Sequence, residues 1–127
     1  MSNKIVLYKT RSKEIIDSCK ISNFKEDSDV ILYYTLNFID YRIANNLCLI
    51  FIEQSSKEYK NLGIVCTGHL CRIYKKAPCL KIMRILEKHY SDKNNEYWGA
   101  IDDTLDDISI FLKIPKNNIF TSLIRNT

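Results

Sequence analysis

The residues that decide the predicted fold lie between positions 36 and 74. They read LNFIDYRIANN at 36–46, CLIFIEQ at 48–54, LGIVCT at 62–67 and HLCRIY at 69–74. The first stretch has the composition of a helix end, and the three apolar runs after it are separated only by short polar connections. This part of the sequence therefore predicts a helix that leads directly into a three-stranded meander.

We assign the three strands to residues 48–54, 62–67 and 70–74. The segment SSKEYKN forms the first connection, and a tight turn at Gly68 forms the second. Strand 48–54 is apolar almost throughout, which is typical of the interior of a sheet covered on both faces. It is predicted to be the central strand.

A hairpin and a helix are predicted upstream of the meander. Residues 4–9 and 14–21 are rich in β-branched side chains and are joined by a polar turn, so we assign them to the hairpin. The acidic cluster before Asp29 favours a helix running from about Ser28 to Ala44. Its apolar side chains, which include Leu36, Phe38 and Ile39, cover a wide arc. Its more solvent-facing stripe is expected to hold Tyr33, Asn37, Asp40, Tyr41 and Ala44.

Two helices are predicted downstream. Pro78 introduces CLKIMRILEKHY, an amphipathic helix whose polar side carries Lys81, Arg84 and Lys88. The second helix has an apolar stripe at Ile101, Leu105, Ile108 and Leu112. A tail begins at about Pro115, and its apolar side chains are expected to dock on the domain or on another molecule.

These elements give the order ββαβββαα within one domain over residues 1–127. The predicted fold class is α+β, with a five-stranded antiparallel sheet, one helix on one face and two on the other. A chain of 127 residues with a hydrophobic fraction of 46% is large enough for one core. It has no apolar run of about 20 residues and no secretory signal, so we expect a soluble protein inside the cell.

The five cysteines form no CxxC pair, which indicates free thiols in a reducing compartment. A zinc site could be assembled from Cys66, His69 and Cys71, but strand alternation would place these residues on both faces of the sheet. No cofactor is expected, because the sequence has no second ligand cluster and only three glycines for a phosphate loop.

The order of elements and three sequence segments resemble the sedlin family, the longin-like small subunits of the TRAPP vesicle-tethering complex. The matching segments are LNFIDYRI at 36–43, YKNLGIV at 59–65 and TGHLCRIY at 67–74, within a collinear match over about residues 4–112. The sequence departs from the family pattern at NNEY, which lacks the family's proline, and in the shortened loop KKA.

The resemblance implies a longin-like fold and a non-enzymatic adaptor in a TRAPP-type complex that tethers vesicles between the ER and the Golgi. It implies other TRAPP-type subunits as partners, an indirect link to a Rab GTPase and SNAREs, and a cytoplasmic position peripheral to ER and Golgi membranes. Asp40 matches an aspartate of the family pattern. The residues expected to contact partners are Tyr33, Asn37, Asp40, Tyr41, Thr67, Gly68 and His69.

Two other functions stay open at this point. One is a longin-type subunit of another trafficking assembly, such as a SNARE regulator or an adaptor small chain. The other is a small nucleic-acid-binding module that uses the basic face of Lys81, Arg84 and Lys88. In a tethering subunit, the basic stripe of Lys75, Lys76, Lys81, Arg84 and Lys88 could instead contact a membrane. Against catalysis, the sequence offers no paired acid and base. The carboxylates Asp102, Asp103, Asp106 and Asp107 are interpreted as a solvated helix face and not as a metal site.

Overall fold

The computed structural model of the chain describes residues 3–126, and these residues form helices and no strand. The α-helices are α1 (Asn3–Ser18), α2 (Phe24–Leu36), α3 (Tyr41–Glu53), α4 (Lys57–Tyr74), α5 (Leu80–Tyr90) and α6 (Trp98–Leu112). A 3₁₀ turn at Lys116–Asn118 and a π-helical turn at Thr121–Arg125 follow α6. The predicted α+β class, its five-stranded sheet and the longin-like fold are therefore wrong, and the resemblance to the sedlin family is overturned with them.

The three predicted strands lie inside two helices. Residues 48–54 belong mostly to α3, which is buried on nearly every side of its second half, so its apolar run carries no helical period. Residues 62–67 and 70–74 belong to α4, whose inward positions include Gly63, Thr67 and Gly68. Small and polar residues at core positions hid the 3.6-residue pattern, and Gly68 was mistaken for a turn.

The predicted hairpin is the single helix α1. Its inward positions Ile5, Tyr8, Ser12 and Ile15 recur at intervals of three and four residues, as in an α-helix. Arg11, assigned to the polar turn, instead reaches across to α2. Its guanidinium pairs with the buried Asp27, with 2.8 Å between Nε and Oδ1 and 3.0 Å between Nη2 and Oδ2.

The predicted helix from Ser28 to Ala44 is divided in two. It begins earlier, because the Asn23 side chain caps α2 by accepting a hydrogen bond from the Glu26 amide. It ends at Leu36, where Asn37 adopts an extended backbone conformation. Asp40 then caps α3, with 3.2 Å between its Oδ1 and the Ile43 amide nitrogen.

The two downstream helices are confirmed as α5 and α6. Lys81, Arg84 and Lys88 lie on the exposed side of α5, whereas Ile82, Met83 and Leu86 are buried. The tail docks on its own domain: the Ile119 side chain is fully buried, and Arg125 pairs with Glu87 of α5 at 2.7 Å.

Helix α4 is central and packs against α2, α3 and α6. Gly63 allows α3 to approach, since a Cβ atom there would lie 2.8 Å from the Ile52 side chain. Gly68 faces α6, where a Cβ atom would lie 2.6 Å from Oδ2 of Asp107, the end of a side chain that can move. The Thr104 hydroxyl donates to the Ile64 carbonyl at 3.0 Å. Because Ile64 meets Thr104 and Gly68 meets Asp107, α4 and α6 run parallel and end at the same side of the bundle.

Candidate interaction surface

The segment that connects α2 to α3 exposes three large apolar side chains in succession. The exposed fraction is 77% for Phe38, and 42% for both Leu36 and Ile39. We call these three residues the loop patch. Single exposed apolar residues are normal on a protein surface, but three within four positions form a patch that is characteristic of contact with another surface.

A single buried hydroxyl holds the loop patch in place. The Tyr74 Oη atom accepts from the amide nitrogens of Ile39 at 3.1 Å and Asp40 at 3.2 Å. The same atom lies 2.8 Å from the carbonyl oxygens of Tyr34 and Asn37, and its one proton is donated to either of them. Tyr74 is 5% exposed, so the loop is fixed to the core and not merely to its own helix ends.

Aromatic rings continue from Tyr74 to the surface. The ring centroids of Tyr74 and Phe38 are 5.1 Å apart, and those of Tyr74 and Tyr41 are 5.8 Å apart in an edge-to-face arrangement. The Tyr41 hydroxyl donates to the carbonyl of Ala77, just after α4. Burial raises the pKa of Tyr41 to about 12, so this hydroxyl keeps its proton at neutral pH.

Basic side chains surround these rings. The Lys75 ammonium lies 4.1 Å from the centre of the Phe111 ring, and the Lys76 ammonium lies 5.1 Å from the centre of the Tyr41 ring. Arg42 and Lys113 are also exposed near the ends of these helices. We call the region formed by residues 36–42, 74–78 and 111–114 the Tyr74 end of the bundle. It holds these four cations and one carboxylate, that of Asp40.

Three of the predicted contact residues on the first helix lie at this end. Asn37 and Asp40 are exposed in the connecting segment, and Tyr41 is half-buried at the start of α3. Tyr33 is half-buried one turn before the loop, with its ring centre 5.0 Å from that of Tyr8. The Asp40 carboxylate caps α3, so this residue has a structural role in addition to its exposure.

The other predicted contact residues lie elsewhere, in the middle of α4 and not in a strand turn. Thr67 is fully buried and donates to the Gly63 carbonyl at 2.8 Å, and Gly68 is buried against α6. His69 is half-buried, with Nδ1 3.1 Å from the Arg72 guanidinium. Burial and then Arg72 lower its pKa. A partner could therefore not reach Thr67 or Gly68 while α4 is packed within the bundle.

The cysteines lack the surroundings of reactive thiols. Burial raises the pKa of Cys66 and Cys71 to about 12 and that of Cys48 well above its ordinary value. Cys66, His69 and Cys71 all belong to α4, and the two thiols face the core. Cys19 is exposed and Cys79 is partly exposed, and none of the five is in a disulfide.

The acidic face of α6 is partly neutralised by the tail. Carboxylate oxygens of Asp102, Asp103 and Asp106 lie within 4.8 Å of one another. The Lys116 ammonium lies 2.7 Å from Oδ1 of both Asp102 and Asp106, and the Tyr90 hydroxyl donates to Asp102 at 2.7 Å. These hydrogen bonds, first that from Lys116, lower the pKa of Asp102. Asp102 and Asp106 therefore hold the tail against α6 through Lys116.

The basic face of α5 is exposed but carries no aromatic side chain among its cations. Lys81 lies 3.8 Å from the carboxylate of Glu53, and Arg84 and Lys88 are exposed on the same side of the helix. Single-stranded nucleic acids bind to surfaces where aromatic platforms lie between basic groups. The Tyr74 end has such a mixture, and the basic face of α5 does not.

Comparisons with models of protein families, with curated proteins and with solved structures found no match to this chain. Within the part of the chain that the structure describes, none of the helices is both long enough and apolar enough to cross a bilayer.

Sequence reasoning missed the loop patch because it assigned Leu36, Phe38 and Ile39 to the apolar side of a continuous helix. The signal that could have found it is the pair Asn37 and Asp40. Both residue types favour helix ends, and Asp40 stands three residues before Ile43, at the spacing of an N-cap. A break there would have placed the apolar residues in an exposed loop.

Proposed function

We propose that this chain is a non-catalytic attachment module that binds another surface through the loop patch. One observation carries the proposal: Phe38 is 77% exposed on a segment whose backbone is fixed by the buried Tyr74 hydroxyl. An apolar side chain that is held in its bound position before contact loses little conformational entropy on binding. Large side chains of this kind commonly provide most of the binding free energy at an interface.

The chemistry of the remaining residues supports a role without catalysis. Among the hydrogen bonds of the described residues, neither histidine is paired with a carboxylate, since Nδ1 of His69 contacts Arg72 and Nδ1 of His89 contacts Asn95; the thiols inside the core are shielded from substrates. The predicted contact residues Asn37, Asp40 and Tyr41 lie within or beside the same segment and would form the polar edge of the contact.

A photo-crosslinking residue at position 38 tests the proposal, and the same residue at position 7 is the matched control. Leu7 is 63% exposed on α1 and lines a groove with Glu26 and Asp29, near the start of α2 and away from the loop patch. In native cells, cross-linking from position 38 should exceed that from position 7. In an extract of those cells, unlabelled wild-type protein should suppress cross-linking from position 38, and unlabelled Phe38→Ser protein should not. Equal cross-linking from both positions would refute the proposal.

The role in a TRAPP-type complex, the contacts with a Rab GTPase and SNAREs, and the position at ER and Golgi membranes came from the resemblance alone. The helical fold removes that support, so these statements stay predictions. Affinity purification from the native organism tests them: recovery of TRAPP-type subunits would support them, and recovery of none would refute them. A longin-type role in another assembly loses its basis for the same reason.

Nucleic-acid binding through Lys81, Arg84 and Lys88 also stays a prediction. Titration with RNA at two salt concentrations tests it, because phosphate contacts give a steep salt dependence.

A further inference from the structure

We infer that the surface bound by the loop patch is an anionic lipid bilayer. The inference rests on the proposed function and specifies its partner. Three properties of the Tyr74 end favour such a bilayer: its charge, the shape of the apolar element, and the arrangement of aromatic and basic side chains.

The first property is charge. Residues 36–42, 74–78 and 111–114 contain Arg42, Lys75, Lys76 and Lys113, all exposed, against the single carboxylate of Asp40. Within residues 3–126, none of these four cations lies within 4.0 Å of a carboxylate. The surface of an anionic bilayer attracts such groups by about 1 kcal/mol for each lysine or arginine that comes near it.

The second property is shape. Two grooves in the described part of the chain, of about 390 and 520 Å³, lie along α1; Ile39 and Asp40 line the second, and Phe38 lines neither. Phe38 projects from the tip of a short connection between two helices. A projecting apolar side chain of this kind inserts into the boundary between headgroups and acyl chains, whereas a helix or peptide would bind in the groove beside it.

The third property is the order of side chains from the tip inward. Phe38, Leu36 and Ile39 lie outermost, the Tyr41 and Tyr74 rings lie behind them, and Lys75 and Lys76 lie beside rings. Aromatic and basic side chains are enriched at the level of the headgroups, and lysines there reach phosphates with their ammonium groups. The attachment would therefore be peripheral, with three apolar side chains inserted and the helices outside the bilayer.

Vesicle flotation is the first test. The full chain should float with vesicles of phosphatidylcholine containing about 30% phosphatidylserine, and much less with phosphatidylcholine alone. Binding should fall at about 1 M salt, where the Debye length is about 3 Å. Phe38→Ser should weaken binding about tenfold or more. Lys75→Gln and Lys76→Gln should each weaken it about fivefold. Leu7→Ser is the matched apolar control and should bind as the wild type does.

The second test measures which end of the bundle enters the bilayer. Trp98, the one tryptophan of the chain, begins α6, about 20 Å along the helix from its end near Phe111. Vesicles with brominated acyl chains should quench the emission of the tryptophan that Phe38→Trp introduces. They should leave the wild-type emission, which comes from Trp98, nearly unchanged. Quenching of Trp98 alone, or no flotation with the anionic vesicles, would overturn the inference.

The attachment through the loop patch and the bilayer as its partner can be refuted independently. If position 38 cross-links to a protein and the vesicles do not bind, the bilayer inference is wrong and the attachment module stands. If position 38 gives no more cross-linking than position 7 and the vesicles do not bind, both are wrong.

Discussion

Replacing Tyr74 with phenylalanine removes one oxygen atom and should release the loop patch. That oxygen accepts two backbone hydrogen bonds and donates a third, over distances of 2.8 to 3.2 Å. At about 1 kcal/mol net for each bond, the three contribute about 3 kcal/mol. Water can partly replace the hydroxyl at Ile39 and Asp40, because both residues are exposed. We therefore expect the free energy of unfolding to fall by about 2 kcal/mol.

Urea denaturation measures that loss, and hydrogen exchange shows where it arises. The amides of Ile39 and Asp40 should exchange much faster in Tyr74→Phe, while those in the middle of α4 should change only as far as global stability does. Tyr41→Phe is the matched control, since its hydroxyl makes a single hydrogen bond to the Ala77 carbonyl, and it should cost about 1 kcal/mol. A loss below about 0.5 kcal/mol with unchanged exchange at Ile39 and Asp40 would refute the role assigned to the Tyr74 hydroxyl.

Three further predictions concern the bundle. Gly63→Ala should lower the free energy of unfolding by about 1–3 kcal/mol in urea, because its Cβ atom would lie 2.8 Å from the backbone nitrogen of Ile52. Gly99→Ala, with nothing within 4 Å, should instead stabilise the protein by up to about 1 kcal/mol. Asp27→Asn should cost about 3 kcal/mol, since it removes the buried carboxylate and leaves the Arg11 guanidinium only the exposed Glu14, at 3.7 Å. Burial opposes ionisation of Asp27, but hydrogen bonds from Arg11 and the Asn23 and Ser22 amides lower its pKa. The pair should therefore contribute its full stabilisation above the unfolded-state pKa of Asp27. That stabilisation is lost as the pH falls through the lower folded-state pKa. In Asp27→Asn, the free energy of unfolding should therefore depend less on pH over this range. A thiol reagent at neutral pH should modify Cys19 first and Cys79 more slowly, and should reach Cys48, Cys66 and Cys71 only on unfolding; rapid reaction of all five thiols would contradict the packing of α3 against α4.

The sequence predicted α5 and α6 because each has one apolar stripe and a clear start or stop signal. In α5, Ile82, Met83 and Leu86 alternate with Lys81 and Arg84 at helical spacing. Helices α3 and α4 lack this contrast between an apolar and a polar side. The second half of α3 is apolar on most sides because other helices cover it, and a short apolar run without a period fits a buried strand equally well.

The candidate site was predictable in part. Asn37, Asp40 and Tyr41 were selected as contact residues, and they flank the segment that now carries the proposal. The sequence places Phe38 on the wide apolar side of a continuous helix, because it does not register the break at Asn37 and Asp40. The backbone beside Phe38 is held by long-range hydrogen bonds to Tyr74, 36 positions after Phe38 in the chain, which a local pattern does not encode.

The hydroxyl of Tyr74 joins the interior of the protein to its most exposed aromatic ring. Any change that shifts the Tyr74 ring, such as a cavity created beside it in α2 or α4, would also displace Phe38. Variants far from the binding surface would then alter affinity without touching the ligand. For this protein, a measured change in binding affinity should therefore report a change in the packing of the interior.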